Sequence, residues 1–171
     1  QQDGSILWDY AGIDRLCDLA LERGLDVLGL FGWAQGGHDR LFPNFDPDPA
    51  MGGEQALCAA INRARRRGIR TILYANGQLV DAAGPFYKDC GNQVILQQEN
   101  TEPLLSSVRK FRSCTPVIFA TACPGSPAWR NHMLGLADQA MRLGASGILY
   151  DQMGVLPPYF CHAPGHDHAS P

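Results

Sequence analysis

The sequence predicts an α/β fold, specifically part of a (β/α)8 barrel with parallel strands joined by helical crossovers. An apolar helix face, a glycine and a short apolar run follow one another three times along the chain, which is typical of parallel strands behind crossover helices. The chain has no G-x-G-x-x-G turn of the kind that a doubly wound nucleotide-binding sheet usually carries. Because a complete barrel takes about 250 residues, we expect these 171 residues to be a fragment, about half, of a single barrel domain.

The first repeating unit covers residues 9–33. Residues 9–23 place Ile13 and Cys17 on one apolar helix face, and Gly24 suits the helix end because it tolerates a positive φ. Residues 25–33 form a nearly continuous apolar run. Such a run is typical of a strand buried on both faces.

The later units repeat this order. Helices are predicted over residues 54–67 and 127–143, each followed by a glycine, and buried strands over residues 69–74 and 147–150. A further strand of the same parallel sheet is predicted over residues 116–121.

Residues 82–112 have the least regular pattern. Residues 94–96 indicate a short strand, and the apolar spacing over residues 104–111 predicts a short helix.

Composition excludes some partners. The net charge is −3, so the chain has no overall basic field for nucleic acid, and it lacks the roughly 20-residue apolar run of a membrane helix. An arginine-rich helix face is interpreted as solvated surface; it comprises Arg63, Arg65, Arg66, Arg67 and Arg70.

The six cysteines contain no C-x-x-C pair. The sequence therefore does not decide between an oxidising and a reducing compartment. The chain begins at Gln1 without Met, so we expect an excerpt whose cellular location is open.

Candidate site residues follow the predicted strands, because function collects at the carboxyl ends of parallel strands. Trp33, His38 and Asp39 follow the first strand. An aromatic plane beside a carboxylate suits a sugar, whose C–H faces stack on the ring and whose hydroxyls donate to the acid. A loop whose acids cap turns is the alternative.

The next two strands are each followed by one candidate. Asn76 follows the second strand, as a polar contact or an ordinary turn residue. Trp129 follows residues 116–121, as a pocket wall or a core residue of the next helix.

Asp151 is the strongest candidate for a catalytic residue. It stands at the exit of the predicted strand between Tyr150 and Gln152, which are candidate sugar contacts. A carboxylate at this position is costly unless it has a partner or a task. Retaining glycosidases need a carboxylate nucleophile, with a second carboxyl about 5–5.5 Å away. The alternative for Asp151 is an acid that caps the following loop.

The tail from Cys161 to His168 holds three of the five histidines. Cysteine and histidine are zinc ligands, but the favoured interpretation is a loop that carries His166 and His168 to the substrate pocket. In this interpretation the tail holds no metal.

Three segments resemble a known family: G-I-R-x-x-L-Y-A-N-G at residues 68–77, C-P-G-S at 123–126 and G-I-L-Y-D-Q at 147–152. Their order resembles the catalytic barrel of α-galactosidase-like glycoside hydrolases, and most closely a bacterial branch related to α-N-acetylgalactosaminidases. The resemblance implies a retaining hydrolase of α-linked galactose-type sugars in which Asp151 is the nucleophile and Asp39 binds the sugar. Leu149 replaces a lysine of the family pattern, and Trp33 and, later, His38-Asp39 replace a pair of acids. The mechanism that the resemblance implies needs no metal and no organic cofactor.

The resemblance also places the acid/base residue on a later strand, outside this chain. The partners it implies are a carbohydrate and the remainder of the barrel, and the fragment alone should be inactive. Two alternatives stay open. One is a metal-dependent barrel hydrolase that uses His162, His166 and His168, perhaps with Asp151, and the other is a non-catalytic carbohydrate-binding barrel.

Overall fold

The computed structural model describes residues 6–110, 115–155 and 159–168. They divide between two compact units, the first comprising Gln1–His38, Phe45–Ala75 and Leu136–Leu149 and the second Asp39–Asn44, Asn76–Gly135 and Tyr150–Pro171. Within the described ranges, no helix has the length and apolar character needed to cross a membrane.

Helices and strands alternate through most of the chain. The helices are α1 (Gly12–Glu22), α2 (Gly53–Arg66), α3 (Pro85–Val94) and α4 (Pro127–Arg142), with a short 3-10 helix at Pro49–Met51. The strands are β1 (Val27–Leu30), β2 (Arg70–Asn76), β3 (Leu79–Asp81), β4 (Leu105–Lys110), β5 (Thr115–Thr121) and β6 (Gly147–Asp151).

A parallel sheet carries the strands in the order β1-β2-β6. β1 and β2 pair in parallel, and their register runs from Val27 opposite Arg70 to Leu30 opposite Leu73. The amide of Ser146 donates to the Thr71 carbonyl and the amide of Gly77 donates to the Asp151 carbonyl, each at 2.8 Å. Because the register advances in the same direction on both strands, β6 is also parallel to β2. The predicted parallel sheet with helical crossovers is confirmed.

The core of the first unit lies where α1 packs against α2. Cys17, Leu57 and Ile61 are fully buried there, so the apolar helix faces lie where their spacing predicts. Gly24 adopts φ 68° after α1, as expected for a helix-ending glycine.

Three arginines of the arginine-rich helix face bind aspartates of the same unit. Arg63 contacts Asp14 at 2.9 Å, Arg67 contacts Asp18 at 2.5 Å, and Arg70 contacts Asp26 at 2.7 Å. All six side chains are partly exposed. Because solvent screens exposed ion pairs, these three contribute little to stability.

The burial predicted for two of the parallel strands is wrong. Of the sheet's strands, β2 is mostly buried, whereas Val27 of β1 and Leu149 of β6 are 40% and 43% exposed. β1 and β6 are the edge strands of the described sheet. An edge strand is covered only where other elements reach it, so the apolar pattern overstated its burial.

The second unit contains an antiparallel sheet in the order β3-β5-β4. The expectation that residues 116–121 join the parallel sheet is therefore wrong, since β5 pairs antiparallel with both neighbours. Only four residues separate β4 from β5, which is too few for the helical crossover that a parallel connection requires.

One prediction within residues 82–112 is wrong and another holds in part. Residues 105–110 form β4 rather than a helix. Of the strand predicted over residues 94–96, Val94 ends α3 instead, while Ile95 forms an isolated antiparallel bridge with Ala122. Residues 105–110 pair with β5 along their whole length, and this pairing satisfies their backbone hydrogen bonds. The apolar spacing that suggested a helix does not correspond to a buried face, since Leu105 is 50% exposed. Phe111, the last residue of the predicted helix, lies outside the described residues.

Candidate active site

Asp151 is the last residue of β6 and is fixed through its main chain and its side chain. Its carbonyl accepts a hydrogen bond from Gly77 at 2.8 Å, and its carboxylate Oδ1 accepts one from the amide of Gln152 at 2.9 Å. Gln152 adopts φ 67°, so the chain turns sharply after the strand. The Asp151 side chain is half-buried. Gln152 thus contributes a backbone donor here, while its predicted sugar contact stays a prediction.

Tyr150 shows which face of β6 carries Asp151. Its hydroxyl donates to the carbonyl of Met133 on α4. Since successive strand residues point to opposite faces, Asp151 lies on the face opposite α4. In a β/α barrel that face lines the interior. The hydroxyl of Tyr150 binds α4, and the sugar contact predicted for this residue stays a prediction.

Asn76 ends β2, the strand beside β6. The bond from Gly77 to Asp151 places these two strand ends at the same level. Asn76 is buried, and its Oδ1 accepts from the amides of Gln78 at 3.0 Å and Leu79 at 2.8 Å. These bonds shape the turn into β3. The structure thus brings Asn76 and Asp151 to adjacent strand ends, with the Asn76 oxygen organising the turn.

Trp33 and His38 follow β1 in the first unit. Trp33 is 5% exposed, donates from its indole nitrogen to the Tyr74 carbonyl at 2.9 Å, and stacks on Phe45. The His38 ring lies 4.8 Å from the Tyr74 ring. Trp33 therefore packs in the core, and this burial does not favour the sugar stacking predicted for its ring. The sugar contact of His38 stays a prediction.

Asp39 belongs to the second unit, in the segment Asp39–Asn44. It is half-buried and adopts a left-handed φ of 59°, a conformation in which aspartate is more common than most residues. The amide of Leu41 in this segment donates to Oδ2 of buried Asp81 at 3.1 Å. The segment is therefore anchored to β3, and the sugar contact of Asp39 stays a prediction.

Trp129 lies in the first turn of α4 and borders a cavity of about 490 Å³. It is 3% exposed, its indole nitrogen donates to the Gly77 carbonyl at 3.3 Å, and its amide donates to Ser126 Oγ at 3.2 Å. Trp129 is thus both a core residue and a pocket wall. The lining is mainly apolar, with Met133 and Met153 among its residues, so it offers a sugar few hydrogen-bond partners.

His166 and His168 lie beside two cysteines. One possible ligand atom from each of Cys123, Cys161, His166 and His168 lies within 4.8 Å of the others. His162, which the metal-hydrolase alternative used, is exposed and not among them. We name these four residues the Cys-His cluster. Sequence reasoning considered Cys161 together with the histidines of the tail, but it missed Cys123 as their partner because Cys123 lies far from the tail along the chain.

The thiols of the Cys-His cluster have opposite pKa shifts. Burial raises the pKa of Cys123 to about 11. Burial also acts to raise that of Cys161, but backbone hydrogen bonds from Ala163 and Gln97 and side-chain bonds from His168 and His166 bring its pKa down to about 6. Cys161 is therefore the more readily ionised of the two thiols. Both cysteines are free thiols.

A sequence family matches residues 15–170, and its description is "Domain of unknown function (DUF6259)". The chain belongs to this family. No curated protein matches the sequence.

Several solved structures share the fold. The α-N-acetylgalactosaminidase NagBb from Bifidobacterium bifidum, in complex with GalNAc, superposes with a TM-score of 0.73 and 16% identity. The α-galactosidase TtGalA from Thermus thermophilus gives a TM-score of 0.64 and 18% identity. An α-amylase from Geobacillus thermoleovorans gives 0.65 and 15%. The fold is therefore that of part of a glycoside-hydrolase barrel, as the resemblance predicted.

The match covers nearly all of this chain but a minor part of each relative. It spans 95% of the chain and 25% of NagBb, 83% and 27% for TtGalA, and 87% and 35% for the α-amylase. The chain thus spans about a quarter of the length of the first two proteins.

Proposed function

We propose that the protein containing this chain is a retaining glycoside hydrolase for α-linked galactose-type sugars, with Asp151 as its nucleophile. One observation carries the proposal. Asp151 ends a strand of the parallel sheet, level with Asn76 on the next strand and on the face opposite α4. That is where barrel enzymes hold catalytic groups.

The Asp151 carboxylate attacks the anomeric carbon while the bond from that carbon to the leaving oxygen breaks. A carboxylic acid, which we place beyond residue 171, protonates the leaving oxygen. The resulting carboxylate then takes a proton from water, and the water oxygen attacks the anomeric carbon and releases Asp151. The galactose-type substrate is supported by the resemblance and by the α-galactosidase and α-N-acetylgalactosaminidase among the fold neighbours.

The test is Asp151→Asn in the full-length protein, assayed with p-nitrophenyl α-galactoside and α-N-acetylgalactosaminide. Asparagine keeps the shape of the side chain but removes the nucleophilic charge, so we expect turnover to fall on the order of 10⁴-fold, with sugar binding retained. Asp138→Asn, the same change at an exposed position of α4, is the control and should match the wild type.

Near-wild-type turnover by Asp151→Asn would refute the nucleophile assignment. If the wild type bound galactose without hydrolysing either substrate, the carbohydrate-binding alternative would replace the enzymatic one.

A further inference from the structure

The Cys-His cluster has the dimensions of a metal site. Its four candidate ligand atoms lie within 4.8 Å of one another, and Cys161 Sγ lies 3.4 Å from His166 Nδ1. In a tetrahedral zinc site, bonds of about 2.3 Å to sulfur and 2.0–2.1 Å to nitrogen separate the ligand atoms by roughly 3.3–3.8 Å. The pair of Cys161 and His166 already has this spacing, and a small contraction would bring in the others.

A second hydrogen bond fixes the tautomer of His166. Its Nε2 lies 3.0 Å from the carbonyl of Gln93. A carbonyl only accepts, so Nε2 carries the proton and Nδ1 presents its lone pair to the cluster. Ser126 Oγ donates to the same Gln93 carbonyl at 2.7 Å. Metal-binding histidines almost always have such an acceptor on the nitrogen that does not bind the metal.

The turn after Cys123 packs closely against the ring of His168 at Gly125. A Cβ on Gly125 would lie 2.6 Å from the His168 ring, so only glycine leaves the ring in place. The amide of Asp167 donates to the Gly125 carbonyl at 2.8 Å, and the carboxylate of Asp167 pairs with Arg130 at 2.9 Å. These contacts attach the histidine-bearing segment to the turn.

We propose that Cys123, Cys161, His166 and His168 bind one Zn²⁺ in a tetrahedral structural site. Two thiolates and two imidazoles in this geometry suit zinc. Four protein ligands leave no open position for water or substrate, so the ion stabilises the fold and takes no part in chemistry. The site joins the turn after β5 to residues 159–168. It gives His166 and His168 a role other than the predicted sugar contact, and it does not depend on the proposed glycosidase activity.

The first test measures the metal content of the full-length protein, purified without chelators and dialysed against zinc. We expect about one zinc ion per chain for the wild type and less than about a tenth of that for Cys161→Ser. Cys58→Ser changes a half-buried thiol of α2 outside the cluster and should keep its zinc. A wild type without zinc, a Cys161→Ser protein that keeps it, or stoichiometric iron or copper in its place would overturn the proposal.

A second variant leaves all four ligands in the chain and so does not rely on the folding of Cys161→Ser. Gly125→Ala should weaken zinc binding at least about tenfold in competition with a chromophoric chelator, because the methyl group displaces His168. Gly135→Ala is the control, since a Cβ there meets nothing within 4 Å. Equal zinc affinity in the two variants would contradict the site. A Cys123–Cys161 disulfide, detected by mass spectrometry of the unreduced, zinc-equilibrated protein, would contradict it as well.

Discussion

The Asp151 carboxylate is held by its place at a strand end and by one backbone donor, the Gln152 amide at 2.9 Å. Nucleophilic attack needs the reacting atoms held about 3–3.5 Å apart, and a carboxylate fixed to a sheet satisfies this better than one on a free loop. Leu149 stands where the α-galactosidase pattern has a lysine. A sugar bound as proposed would therefore meet no cation at that position.

Tyr10 makes stability sensitive to alkaline pH. Its hydroxyl donates to the Trp33 carbonyl and accepts from the amide of Asp48 at 2.7 Å. Burial raises the pKa of Tyr10 from 10.0 to about 12. The unfolded chain therefore loses this proton first, so the contribution is complete below pH 10 and declines as pH rises towards 12. We expect stability to fall by up to about 1.4 kcal/mol per pH unit in this window, as measured by chemical denaturation.

The control for this effect is Tyr10→Phe, which removes the titrating group. It should be less stable at neutral pH by about 1–3 kcal/mol, because two hydrogen bonds are lost, and should have a shallower alkaline decline. Parallel pH profiles for the two proteins would show that Tyr10 does not cause the decline.

At the scale of elements, β3 organises the loop that carries Asp39. Asp81 of β3 is buried and accepts hydrogen bonds from the amides of Leu41 at 3.1 Å and Ala83 at 3.0 Å. Its own amide donates to the Phe42 carbonyl at 2.8 Å. One side chain thus replaces the regular backbone pairing that this irregular segment lacks.

Replacing Asp81 with alanine should loosen this segment. Two part-buried hydrogen bonds to the Asp81 carboxylate are lost, which costs at most about 1–3 kcal/mol for each amide, so we expect faster hydrogen exchange in residues 39–44. Asp89→Ala, at an exposed position of α3, should leave that exchange unchanged. Equal exchange in the two variants would show that Asp81 does not hold the loop.

Local periodicity predicted α1, α2 and α4, and with them the parallel strands, because each buries one apolar face within its own repeat. It predicted β5 as a strand but not its antiparallel pairing, and it failed for β4, because this pairing depends on residues from separate segments, such as Val108 opposite Val117. The part of Cys123 in the Cys-His cluster was missed for the same reason. Asp151 and Asn76 could be selected because strand ends are recognisable in a sequence, whereas the burial of Trp33 depends on the Tyr74 carbonyl and the Phe45 ring.

At the scale of the whole molecule, a parallel sheet and an antiparallel sheet occur in one chain. The superposition covers 95% of this chain with the α-N-acetylgalactosaminidase NagBb and 83% with the α-galactosidase TtGalA, and about a quarter of each of those proteins. The proposed nucleophile stands at the end of the parallel sheet, and the proposed zinc ion would join segments of the second unit that β5 and the tail bring together. The two proposals therefore involve different residues, and the single substitutions at Asp151 and Cys161 test them independently.

The most direct measurement is to trap the covalent intermediate in the full-length protein. An activated fluorinated α-galactoside forms the glycosyl-enzyme but slows its hydrolysis, because fluorine destabilises the oxocarbenium-like transition state. The account predicts one sugar per protein, located by peptide mass spectrometry on Asp151 and absent from Asp151→Asn. A label on another carboxylate, or turnover that releases the inverted anomer without labelling, would contradict it.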